Sequence, residues 1–152
     1  MIKMNERIFK MNKTIKILVL ICISVFALSS LTACTNTASD SDLWDSALYT
    51  EDTEFGNGSK TVMLKVEAEE KSVVFTINSD KKILGDALLE HKLISGEEGA
   101  YGLYVKSVNG MVADYDINQS FWSLCKDGTP MTTGVDGVSF EDGESYEFVY
   151  TK

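Results

Sequence analysis

Val62, Leu64 and Val66 alternate with Met63, Lys65 and Glu67, a period of two that predicts a half-buried strand. Glu69-Glu70-Lys71 supplies a turn. Val73, Phe75 and Ile77 then resume the alternation against Ser72, Thr76 and Asn78, so the two runs read as a β-hairpin with one apolar face. The period then changes. Ile83, Leu84, Ala87, Leu88 and Leu89 share one broad face at helical spacing. Ser79 or Asp80 stands where a cap would accept the free amides of the first turn, and Gly96 stands where a helix would stop. Gly85, inside the run, costs up to ~1 kcal/mol relative to Ala and is expected to permit close packing on the sheet. The second half returns to strands. Leu103 to Val108 leads into Asn109-Gly110, a two-residue hairpin signal, and Phe121 to Cys125 leads into Lys126-Asp127-Gly128. Asp142-Gly143 precedes a last strand on which Tyr146, Phe148 and Tyr150 share a face. Strand, strand, helix and then three or more strands predicts an α+β fold: a small β-grasp-like domain with one helix packed on a mixed β-sheet.

Upstream of Thr61 the pattern fades. Thr35 to Asp42 is small and polar, and Glu51 to Lys60 is rich in acid, glycine and serine, the composition of a linker. Leu43-Trp44 interrupts it and is placed to dock on the domain. Further upstream, Lys3, Arg7, Lys10, Lys13 and Lys16 precede the almost wholly apolar stretch Ile17 to Leu28, followed by Leu31-Thr32-Ala33-Cys34. A basic region, an apolar region and small residues before a cut make a secretory signal peptide. A membrane span wants about 20 apolar residues, and the stretch from Ile15 to Ala33 is broken by Ser24, Ser29, Ser30 and Thr32. The cysteine after the small residues resembles the lipobox of bacterial lipoproteins, whose thiol is lipidated and whose chain is cut just before it. That resemblance implies a lipoprotein signal peptide at 1–33, a lipidated Cys34 followed by a flexible tether to residue 60, and a globular domain over 61–152. The mature chain is then extracytoplasmic and anchored to the cell membrane by at least two acyl chains, which hold where one would not.

Charge narrows the partners. The chain has 14 Lys+Arg and 23 Asp+Glu, of which five basic residues and one acid lie in 1–33, so residues 34–152 carry nine and 22, a net charge of −13. Such a surface repels phosphate backbones and excludes nucleic acid as the expected partner. It also repels anionic headgroups, which leaves the anchoring to the lipid. Of three cysteines, Cys22 leaves with the signal and Cys34 takes the lipid. Cys125 then stands alone, as a buried apolar residue or a free thiol.

The catalytic inventory is thin. His91 is the single histidine, and no second one can complete a zinc or iron site; near a helix C-terminus it more simply interacts with free carbonyls and the dipole. No G-x-S-x-G nucleophile elbow occurs. Gly96-Glu97-Glu98-Gly99 sets glycines among acids that would repel phosphate. Asp114-Tyr115-Asp116 places two carboxylates two residues apart, short of the ligand count of a calcium loop, and reads as a solvated acidic turn. The chain is therefore read as a non-enzyme with no metal site. What remains is aromatic. Tyr101, Tyr104, Tyr115, Phe121 and Trp122 lie within 22 residues of sequence. Phe121 and Trp122 face opposite sides of a strand, so one packs in the core and the other is free to stack on a flat ligand. Tyr and Trp suit such a role, pairing an apolar face with a polar handle; each of the five has a core reading beside its ligand reading.

Tyr101-Gly102-Leu103-Tyr104-Val105, Val108-Asn109-Gly110, Ala113-Asp114-Tyr115, Phe121-Trp122-Ser123-Leu124, Gly134-Val135-Asp136 and Glu141-Asp142-Gly143-Glu144-Ser145-Tyr146-Glu147-Phe148-Val149-Tyr150 follow in order. Together they resemble a bacterial lipoprotein domain of unknown function related to the C-terminal domain of transcobalamin and intrinsic factor. The resemblance covers roughly residues 61–152 and implies a β-grasp-like domain that covers one face of cobalamin, the other face being covered in those proteins by a helical barrel that this chain does not carry. Leu124-Cys125-Lys126-Asp127-Gly128 departs from the pattern, where relatives often have an aromatic residue and an Asn-Gly turn. The ligand contacts carried across are Trp122 and its hairpin neighbours.

Two functions of different kind follow. One is a membrane-anchored ligand-binding protein for cobalamin or another corrinoid, passing its ligand to a transporter or surface protein. The other is a protein–protein interaction or accessory module, in which an exposed sheet edge accepts a partner's strand.

Overall fold

The structure is a computed structural model, and it describes residues 42–152. The signal segment, Cys22, Cys34 and residues 35–41 lie outside the described residues. Two nine-residue strands, β2 (Lys60–Ala68) and β3 (Lys71–Ser79), form the expected hairpin with Ala68 opposite Lys71. Val62, Leu64, Val66, Val73, Phe75 and Ile77 are buried on its inner face, as the alternation requires.

The remaining strands extend this hairpin into one sheet. β9 (Glu144–Thr151) runs parallel to β2, and β7 (Phe121–Lys126) runs antiparallel to β9. β1 (Thr53–Gly56) adds in parallel to the outer side of β3, and the two-residue β8 (Thr129–Pro130) closes the other edge. The order is β1-β3-β2-β9-β7-β8. A second, antiparallel sheet holds β4 (Ile94–Gly99), β5 (Gly102–Val108) and β6 (Met111–Val112). Helix α1 (Leu84–Glu90) buries Leu84, Ala87 and Leu88 in the common core with Phe140, Tyr146 and Phe148. The fold is α+β, with few helices and mixed strand directions.

The ordered unit begins well before Thr61, which corrects the expected tether boundary. Trp44, in a short 3-10 turn over Leu43–Ser46, is buried and donates its indole N–H to the Ala68 carbonyl at 3.0 Å. Tyr49, Phe55 and Phe75 meet edge-on at 5.2–5.8 Å. The Asp52 carboxylate accepts the Val74 amide at 2.8 Å. These apolar contacts are spaced irregularly, so no period marks them in the sequence.

The helix boundaries also differ from expectation. Ser79 is still paired with Lys60 in the sheet, and Asp80 accepts the Ser59 amide and hydroxyl at 2.9 and 2.8 Å. Neither caps the helix. The Leu84 amide instead donates to the Val138 carbonyl at 2.8 Å. At the other end the helix stops because Lys92 takes a left-handed φ of 57°. The Lys92 and Leu93 amides turn back to the Leu89 and Leu88 carbonyls, a Schellman closure with lysine in the usual glycine position. Gly96 lies in β4, at a register shift against β5. A Cβ there would lie 1.9 Å from the Tyr104 carbonyl oxygen, so the glycine serves close strand approach rather than helix termination. His91 follows α1, and its ring stacks on Phe55 at 5.3 Å.

Candidate functional site

The five aromatic residues singled out in the sequence fall into three settings. Tyr101 and Tyr104 belong to the β4–β5 hairpin, where Tyr101 at the tip is fully exposed and Tyr104 about half exposed. Tyr115 opens the short helix α2 (Tyr115–Asn118) and Phe121 follows it at the start of β7, and both are exposed. Trp122 retains only 7% exposure. Its indole N–H donates to the Met111 carbonyl at 3.1 Å, and its ring meets Tyr150 and Phe148 edge-on at 5.4 and 6.4 Å. Trp122 thus takes the core side of the Phe121/Trp122 alternation and ties β7 to β6.

The hairpin is held by an acidic residue whose role no period or spacing in the sequence marks. Asp136, in a short 3-10 turn over Val135–Gly137, accepts the Leu103 amide at 2.6 Å. A Cβ on Gly85 would stand 2.6 Å, and one on Gly102 2.9 Å, from that carboxylate. Both glycines therefore leave room for Asp136, and Gly85 packs against this turn rather than on the sheet. Gly102 also has a φ of +95°, which a side chain would resist. Lys106 and Glu97 pair across the hairpin at 2.9 Å. The tip is thereby fixed to the scaffold while Tyr101 stays free.

The α2 segment is locked from within. The Asp114 carboxylate accepts the Asp116 and Ile117 amides at 2.9 and 3.2 Å, as an N-cap does. Buried Ser120 accepts the Asp114 amide at 3.0 Å and donates to the Asn118 side-chain oxygen at 2.5 Å. Gln119 closes the turn at φ 60°. This closed loop presents Tyr115 and Ile117 outward, and Ile117 is 83% exposed. Ile117 lacks a neighbouring apolar period and is invisible as a surface residue in the sequence. Asp114 and Asp116 are occupied as cap and helix surface. Among the described residues no group of three or more His, Cys, Asp or Glu is placed to hold a metal ion. Cys125 is a free, buried cysteine.

One electrostatic group stands out. Lys126 and Glu144 pair at 2.6 Å, and the Tyr146 hydroxyl donates to Glu144 at 2.7 Å. The Lys126 ammonium, then the Tyr146 hydroxyl and the Glu141 amide, bring the Glu144 carboxyl down to about 2, while burial raises Tyr146. Each member satisfies another, so the group is structural.

A Ruminococcus gnavus ATCC 29149 protein, described with its 1.30 Å crystal structure as a "putative metal binding protein", is 30% identical to this chain with a TM-score of 0.58. The match spans 62% of this chain and 98% of that one. The chain belongs to that protein's family. Haptocorrin, in a crystal structure in complex with Cbi, is 19% identical with a TM-score of 0.53, over 64% of this chain and 26% of haptocorrin. That likeness shows a transcobalamin-like fold; the chain spans about a quarter of haptocorrin's length. No protein-family model matches the sequence, and no curated protein matches it either.

Proposed function

We propose that this protein is an extracytoplasmic lipoprotein, acylated at Cys34, whose domain binds a flat, largely apolar ligand of the corrinoid class and passes it to a transporter. The observation that carries the reading is the pair of exposed tyrosines, Tyr101 and Tyr104, on a hairpin clamped by Asp136 within a transcobalamin-like fold. A corrin offers broad apolar faces and amides at its rim. Aromatic faces and tyrosine hydroxyls complement both. One domain covers one face, which favours modest affinity unless a partner covers the other. The reading is of binding rather than catalysis.

The order β3-β2-β9-β7, with a parallel central pair and α1 joining the two halves, supports a β-grasp reading of the core, with β1 and β8 as additions.

The test is a visible-absorbance and calorimetric titration of residues 35–152 with cobalamin and with cobinamide. Saturable binding at micromolar or tighter affinity, weakened by Tyr101→Ala or Tyr104→Ala, supports the proposal. No heat and no spectral change at high ligand concentration overturns it and directs the search to protein partners of the tethered form.

A further inference from the structure

Strand register defines one end of the main sheet. β2 finishes at Ala68 opposite Lys71, β9 finishes at Thr151, and β7 begins at Phe121 opposite Thr151. Lys71, Ala68, Thr151 and Phe121 therefore stand within about 15 Å across neighbouring strands. The described chain enters at this end, where Asp42 pairs with Lys71 and Trp44 bonds to Ala68. The β5–β6 turn lies here too, because a Cβ on Gly110 would meet the Ser46 carbonyl at 2.6 Å, and β6 is tied to Trp122. Leu48, Val112, Tyr115, Ile117 and Phe121 belong to these segments, five of the nine large apolar side chains exposed among the described residues. Exposed apolar side chains gathered at one end mark a contact surface.

The length of chain before Asp42 says what covers it. Asp42 is eight residues on from Cys34, so the two are at most about 28 Å apart, and a relaxed chain of that length spans about 16 Å. The opposite end of the sheet, at Val62 and Glu144, lies roughly 23 Å further along the strands. We infer that the end carrying Leu48, Val112, Tyr115, Ile117 and Phe121 rests on the bilayer surface, with Ile117 and Tyr115 entering the lipid interface. The inference rests on the reading of Cys34 as the acylated residue. Tyrosine favours that depth, with its ring among acyl carbons and its hydroxyl among headgroups. Asp45, Asp114 and Asp116 share these segments, and Glu69 and Glu70 form the β2–β3 turn at the same end; all five oppose anionic headgroups, so the contact is weak by itself. The tether makes it effective by holding the surface at high local concentration. Tyr101 and Tyr104, on the hairpin held by Asp136, are then the aromatic pair left open to a soluble ligand.

The test uses the full chain, isolated with its acyl chains and reconstituted into phosphatidylcholine vesicles. A nitroxide is attached at Ile117→Cys, or at Glu141→Cys at the opposite end, with Cys125→Ala in both; Tyr115→Cys gives a second position should the first misfold. Shallow insertion predicts collision with a water-borne nickel chelate on the order of threefold lower at 117 than at 141. Equal accessibility at the two positions, in protein that floats with the vesicles, overturns the inference and leaves the Cys34 reading intact. Protein that carries no acyl mass at Cys34 and does not float removes that reading and the inference with it.

Discussion

Asn109 offers a test of how the segment before β2 is held, and hence of where the chain leaves the domain. Its side chain is fully buried, accepting the Tyr49 amide at 3.0 Å and donating to the Tyr49 carbonyl at 2.7 Å. Its own carbonyl accepts the Leu48 amide at 2.8 Å, and its φ is 52°. Asn109→Ala removes both side-chain bonds and places an alanine in a left-handed conformation. Leaving a donor or acceptor unpaired costs ~1–3 kcal/mol when buried; Tyr49 is half-buried, so water recovers part and ~1 kcal/mol for each is the fitting figure. The left-handed backbone adds ~1 kcal/mol for alanine, which lacks the short polar side chain that lets asparagine tolerate that region. The expected loss is ~3 kcal/mol, a large share of the ~5–15 kcal/mol typical of a domain. Asn109→Gly keeps the turn and loses only the bonds, so it should cost ~2 kcal/mol. Urea unfolding of residues 35–152, followed by tryptophan fluorescence, reads both values. Limited proteolysis should show faster cleavage within 42–52 in both variants. An Asn109→Ala midpoint equal to wild type would refute the reasoning, as would full recovery in Asn109→Gly, which would assign the whole effect to backbone strain.

Trp122→Ala should cost ~3–5 kcal/mol, as expected for truncating a buried aromatic, whereas Tyr101→Ala should stay within ~0.5 kcal/mol; thermal melts of the two variants check the division into core and surface. Gly85→Ala should destabilise despite its better helix propensity, because its methyl would press on Asp136, and amide exchange should quicken at Leu103 as that hydrogen bond loosens. The Glu144 carboxyl, depressed from 4.5 to about 2 by Lys126, Tyr146 and the Glu141 amide, contributes stability that is fully present above pH 4.5 and is lost as pH falls toward 2. The contribution is about 1 kcal/mol once solvent screening is discounted; Glu144→Gln should remove this part of the acid dependence of Tm, and an unchanged acid profile in that variant would assign it to other carboxylates.

What the sequence determined by itself was local. Alternation over 62–66 and 73–77 set the hairpin and its buried face, because side chains on a strand have a period of two whatever the strand pairs with. Asn109-Gly110 and Asp127-Gly128 set two turns, since both residues of each adopt positive φ and these residue types tolerate it. The exposed Tyr101 and the core-or-surface choice at Phe121 and Trp122 were also legible as alternatives. Tertiary structure decided which alternative held. Trp122 went inside because β6 placed the Met111 carbonyl within reach of its indole. Helix α1 ended at a left-handed lysine because the Leu93 side chain had to enter the core, which no propensity for Lys92 reveals. Residues 42–56 joined the domain through Ala68, Asn109 and Val74, partners 24, 60 and 22 residues away from Trp44, Tyr49 and Asp52. Contacts at such separations leave no period in the chain, so whether a polar, glycine-containing stretch stays a tether or becomes an edge of the sheet is settled only when the rest of the fold supplies the surface it packs on.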